Sequence, residues 1–160
     1  MTIARLSSEV PQKHERGLTM IKTGVVYATK TKHSKKLAEA IGAALKTKAE
    51  NIATNPVLQG IDLLFVVGGI YGGESLPEML DYMKGLDGSE IKNAALVTSC
   101  ASMKNRQDSV RRILMEKEIN VLDEHLCPGS FLFFRFGHPN KKDVQQAVDF
   151  AVELLKQQQI

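Results

Sequence analysis

The sequence predicts an α/β domain with a parallel β-sheet and crossover helices on both faces. Two observations carry this. From Thr23 onward, short apolar runs alternate with amphipathic stretches, a spacing that suits crossover helices between parallel strands. The apolar runs are also continuous rather than alternating, as in strands buried on both faces. Sheets of this kind bind ligands beyond the carboxyl ends of their strands. Attention therefore falls on residues 29–34, 68–75 and 98–105.

The elements follow in order. Gly24-Val25-Val26-Tyr27-Ala28 reads as a buried strand. Residues 34 to about 46 read as a helix, with Leu37, Ala38, Ile41, Ala44 and Leu45 at the helical period. Residues 50–54 supply only a short strand, which Asn55-Pro56 breaks. Residues 61–67 form a second strong strand, followed by Gly68-Gly69. Ser75-Leu76-Pro77-Glu78 has the form of a capping box with proline in the first turn. The helix it opens turns Met79, Leu80, Met83 and Leu86 inward. Residues 94–98 are the next strand, and Val110, Ile113 and Leu114 mark the following helix. Residues 121–126 are mixed and precede the apolar stretch 131–134, whose Phe131 and Phe133, with Phe134 and Phe136, read as core and rim packing. Asn140 caps a last helix with the face Val144, Ala147, Val148, Ala151 and Leu155.

The length of 160 residues corresponds to one domain. Residues 1–19 lack a hydrophobic period and read as a poorly ordered extension, with Met20 a candidate start; residues 20–160 read as the domain. The formal net charge of +3 demands no nucleic-acid or membrane partner. Two cysteines make no disulfide framework and sit in no zinc pattern. No apolar run is long enough to cross a bilayer, and no secretory signal is visible. The expectation is a cytoplasmic protein.

The first loop carries the clearest chemistry. Thr29, Thr31 and Ser34 bring three hydroxyls to the N-terminus of a helix, where unpaired N–H groups and the positive dipole end favour an anion. Lys30, Lys32, Lys35 and Lys36 add positive potential. The bland reading is an ordinary capped turn with solvated lysines. Neither the dinucleotide pattern G-x-G-x-x-G nor the G-x-x-x-x-G-K-[ST] loop is present here. A site built from hydroxyls suits the phosphate of a mononucleotide.

The segment YATKTKHSKKLAEAI, residues 27–41, resembles the phosphate loop and first helix of the flavodoxins. In that family a hydroxyl–any–Thr–Gly–Asn–Thr pattern follows the first strand and holds the phosphate of FMN. Thr29, Thr31 and Ser34 match the hydroxyl positions, and His33 stands at the Asn position. Lys32 replaces the usual glycine, and a left-handed backbone there carries a steric cost. The resemblance extends from Met20 to the C-terminus without a long insertion, as in short-chain flavodoxins. It implies a three-layer flavodoxin-like sandwich with a five-stranded sheet in the order 2-1-3-4-5, and FMN as cofactor.

The resemblance also implies that the second and third loops flank the flavin ring. Gly69, Ile70, Tyr71, Gly72 and Gly73 form the second, where glycine eases a peptide rotation toward the ring's N5 and Tyr71 offers a stacking face. Ser99, Cys100, Ala101, Ser102 and Met103 form the third, whose backbone donors meet the pyrimidine edge, with Met103 available to pack on the ring. The implied site is Thr29, Lys30, Thr31, Lys32, His33 and Ser34 together with these ten residues. The implied role is electron transfer between FMN and a redox protein partner. The slightly basic balance leads us to expect a less negative midpoint potential than that of an acidic flavodoxin, and a partner that does not require an acidic face here.

Three other readings are open at the level of sequence. One is a flavin-dependent reductase. Another is a binding module of the same fold that has lost FMN. The third follows from Cys100 and Arg106, which have the C-x5-R spacing of cysteine phosphatases. That loop lacks the glycine a phosphate-encircling backbone usually needs, so Cys100, like Cys127, reads as an inert buried thiol.

Overall fold

Successive residues of each continuous apolar strand point to opposite faces of the sheet, and two separate cores result. The computed structural model describes residues 20–129 and 137–160. The strands are β1 (Thr23–Tyr27), β2 (Ala49–Asn51), β3 (Ile61–Tyr71), β4 (Glu74–Ser75), β5 (Ile91–Cys100) and β6 (Asn120–Pro128). The helices are α1 (His33–Leu45), α2 (Pro77–Lys84), α3 (Asp108–Glu116) and α4 (Lys141–Gln158). The sheet order is β2-β1-β3-β5-β6, all parallel, with β4 paired antiparallel to β3. The five parallel strands keep the expected order. The sixth, two-residue strand is a detail the sequence reading did not contain.

On one face Leu64, Val66 and Leu96 pack against Met79, Met83, Val110 and Leu114 of α2 and α3. On the other, Leu63, Phe65 and Val67 pack against Leu37, Ile41, Ala147 and Ala151 of α1 and α4. Phe65 is wholly buried, which contributes roughly 1.5–3 kcal/mol by burial of its ring. This is the three-layer arrangement with helices on both faces.

Local departures have local causes. β3 runs four residues past Val67, through Gly68 and Gly69, because β5 continues alongside it to Cys100 and pairs with both glycines. The expected capping box at α2 is not made. Ser75 pairs with Ile70 across the hairpin, so Leu76 becomes the N-cap with no side-chain bond, and Pro77 alone sets the helix start. At α4 the cap expected of Asn140 does form. Its side chain accepts from Asp143 N–H at 2.9 Å, and the Asp143 carboxylate accepts from Asn140 N–H at 2.8 Å. The phenylalanines at 131–136 and the extension at 1–19 lie outside the described residues.

Candidate functional site

The carboxyl ends of β1, β3, β5 and β6 meet at one cleft. It is a half-open cleft whose space between atoms, solvent at its mouth included, is about 590 Å³. Its lining is Thr31 and His33 from the first loop, Ile70, Tyr71, Gly72 and Gly73 from the second, Ser99, Cys100, Ala101, Ser102 and Asn105 from the third, and Gly129 after β6.

The first loop is folded by its own hydroxyl. Thr29 Oγ1 accepts from Thr31 N–H at 3.2 Å. Lys32 is the N-cap of α1 and lies in the left-handed region at φ 65°, ψ 0°, with no side-chain cap bond. Its carbonyl accepts from Lys36 N–H at 3.1 Å, starting the helix. The loop thus keeps the backbone conformation that glycine favours, although lysine occupies it. Ser34, in the first turn, is fully buried and its hydroxyl has no partner. A buried hydroxyl without a partner costs about 1–3 kcal/mol, so this position favours a ligand acceptor. Burial, reinforced by the Lys36 ammonium, holds the His33 imidazole below its ordinary pKa. The hydroxyls, the orphaned Ser34 and the helix N-terminus together fit a phosphate.

The second loop is a hairpin. Tyr71 pairs with Glu74, and the turn between them places Gly72 at φ 60° and Gly73 at φ 84°. Two consecutive positive φ values suit glycine and give the tight turn that matches strand twist. Tyr71 folds back over Gly69, where an added Cβ would lie 2.8–2.9 Å from its phenol end. Its hydroxyl accepts from Lys30 N–H at 3.4 Å, and Lys30 Nζ sits 5.6 Å from the ring centroid. Tyr71 therefore ties the second loop to the first.

In the third loop, Cys100 Sγ lies 3.2 Å from Ser102 Oγ. Burial pushes the Cys100 thiol up, but hydrogen bonds from the Ser102 hydroxyl and the Asn105, Ser102 and Lys104 amides outweigh it and bring it below the ordinary value. Cys100 is buried, as expected, and it also lines the cleft. Cys127, in contrast, is pushed up to about 12 by burial and the Asp143 carboxylate. Beneath the loop the buried Glu124 carboxylate accepts from Thr98 Oγ1 at 2.9 Å, Gln107 N–H at 3.1 Å and Arg111 at 3.1 Å. Gln107 Nε2 donates to Val97 O at 3.2 Å. These bonds fix the start of α3, and so the third loop, against β5 and β6.

The cleft brings together ten of the residues expected from the sequence and leaves six out of its lining. Thr29 folds the loop, Lys30 lies over Tyr71, and Lys32 and Ser34 build the helix start. Gly69 lies under the Tyr71 ring. Met103 occupies a left-handed turn, its N–H donating to Cys100 O at 3.3 Å. Asn105 and Gly129 were missed. Gly129 approaches β5 so closely that a Cβ would lie 2.7 Å from Ser99 Oγ. The Pro128-Gly129 ending of β6 was the available signal, since it falls at the same carboxyl edge. Among the described residues, no group of His, Cys, Asp or Glu is placed to hold a metal, and no helix is long and apolar enough to cross a membrane.

No family model matches the chain. An uncharacterized protein of Methanocaldococcus jannaschii is 27% identical over 141 residues, covering 78% of this chain and 91% of that one. A flavodoxin from the domain Archaea superposes with TM-score 0.68 at 17% identity, over 86% of this chain and 98% of that one. A short-chain flavodoxin associated with a bacterial microcompartment gives TM-score 0.66 at 18% identity, over 86% and 99%. The chain has the flavodoxin-like fold.

Proposed function

We propose that this chain, through its domain at 20–160, binds FMN in the cleft and acts as an electron-transfer protein. The observation that carries the reading is the buried, partnerless Ser34 hydroxyl at the start of α1, beside the left-handed Lys32. The Thr29, Thr31 and Ser34 hydroxyls and the first-turn amides hold the phosphate. Tyr71 offers a face to the ring, and residues 99–102 direct backbone donors to its polar edge. The bound flavin would supply the redox chemistry. The protein binds it, orients it and exposes its edge to a partner; no side chain is assigned an acid–base step. Two free cysteines agree with a reducing compartment, and we place the protein in the cytoplasm. One contact favours a second reading, a module of this fold without FMN: the Tyr71 hydroxyl takes the Lys30 N–H of the phosphate loop.

Titration with FMN, followed by quenching of flavin fluorescence, separates the two. Saturable one-to-one binding supports the first reading. Thr31→Ala then weakens it about tenfold or more, as expected for a lost hydrogen bond to a charged group. A protein that leaves FMN fluorescence unchanged supports the second.

A further inference from the structure

Beside the cleft's lining lie four exposed cations that form no ion pair among the described residues. Lys30 and Lys32 flank the lining residue Thr31, and Lys104 and Arg106 flank Asn105. All four side chains are exposed. Among the described residues none of the four belongs to an ion pair, whereas Lys35, Lys92 and Arg111 each face a carboxylate. Among the described residues, Glu74 follows the lining residue Gly73 and Asp108 lies three residues after Asn105. Glu74 is already engaged, accepting from Ser109 Oγ and from Ser75 N–H at 2.8 Å each. Asp108 opens α3, where the helix dipole offsets its charge. Screening confines exposed charges to a range of about 8–10 Å at physiological salt, so charges at the mouth dominate what a docking partner meets there.

We propose that this rim is a docking surface for an electron-transfer protein whose own redox centre is surrounded by Asp and Glu. The proposal rests on the FMN reading for its redox purpose, but the charge of the surface is independent of it. Opposite charge at the mouth would raise the encounter rate and orient the two centres toward each other.

The test uses probes of defined charge. The FMN-loaded, reduced protein is oxidised by ferricyanide, a trianion, or by tris(phenanthroline)cobalt(III), a trication. In either case two equivalents take the two electrons of one reduced flavin. The ferricyanide rate constant is expected to fall as ionic strength rises, and the cobalt rate constant to rise. The double variant Lys104→Glu, Arg106→Glu lies outside the proposed FMN contacts. It should slow ferricyanide about threefold or more at low salt while FMN affinity is retained. The opposite salt dependence, or an unchanged rate in the variant, overturns the proposal. A second arm uses the flavin-free chain: polyglutamate should shift the amide resonances of residues 30–32 and 104–106, and the double variant should abolish those at 104–106. Shifts elsewhere, no shifts, or a DNA duplex acting on the same amides at lower concentration would overturn the acidic-protein surface. Failure of FMN to bind would instead overturn the functional reading, with the polyglutamate arm still reporting on the surface.

Discussion

Lys32 holds a backbone conformation that glycine adopts freely and other residues adopt at a cost of about 1 kcal/mol. The same chain contains its own control. Lys46, at the other end of α1, is also left-handed, at φ 55°. Lys32→Gly and Lys46→Gly should each raise unfolding free energy by about 0.5–1 kcal/mol. They should add in the double variant, because the two sites lie a helix length apart. Chemical denaturation checks this; a loss of stability at Lys32 alone would mean that its side chain makes a compensating contact. The two cysteines form a second contrast. Cys100 lines the cleft with a lowered thiol pKa, and Cys127 is buried with its thiol pushed up to about 12. Iodoacetamide at neutral pH should therefore label Cys100 first, and bound FMN should slow that labelling. Mass spectrometry that finds Cys127 modified at an equal rate would contradict the assigned environments.

At the scale of elements, the capping of α4 is the clearest case of local sequence chemistry controlling a boundary. Burial opposes the ionised Asp143 carboxylate, but the Asn140 N–H and the His138 side chain outweigh it and hold its pKa below the ordinary value. A carboxylate depressed in the folded state contributes stability that is complete above its unfolded pKa, about 3.9, and is lost as pH falls through the folded value. Asp143→Asn should accordingly flatten the acid limb of the stability–pH curve, and Asn140→Ala should cost about 1 kcal/mol at neutral pH. An acid limb identical in wild type and Asp143→Asn would remove this carboxylate from the account. The α2 start shows the opposite outcome. Its Ser-x-x-Glu spacing was readable, but the Gly72-Gly73 hairpin draws Ser75 into strand pairing one residue before the cap. Local pattern identifies a cap only when the preceding chain leaves that residue free.

For the whole molecule, strand–helix alternation and continuous apolar strands were sufficient for the layers and the parallel order, because burial on two faces leaves few alternatives. The sequence also located the three loops of the cleft. It did not show β3 and β5 extending past Val67 and Thr98, since Gly68-Gly69 interrupt the run before Ile70 and Tyr71, Ser99-Cys100 add little strand signal, and the pairing is tertiary. Pro128-Gly129 marked the carboxyl end of β6, but the close approach of Gly129 to the Ser99 side chain is tertiary and has no signal in composition. Within this frame Thr31 and His33 form the cleft's polar end at the N-terminus of α1, the orphaned Ser34 lies in the first turn outside its lining, and the other walls come from the second and third loops. That division of labour, phosphate at one end and ring at the other, is the central claim. Parallel titrations with FMN and riboflavin, which differ only in the phosphate, test it most directly. The account predicts that FMN binds at least about tenfold more tightly, as hydrogen bonds to a charged group imply. Equal affinity for the two, or preference for riboflavin, would contradict it.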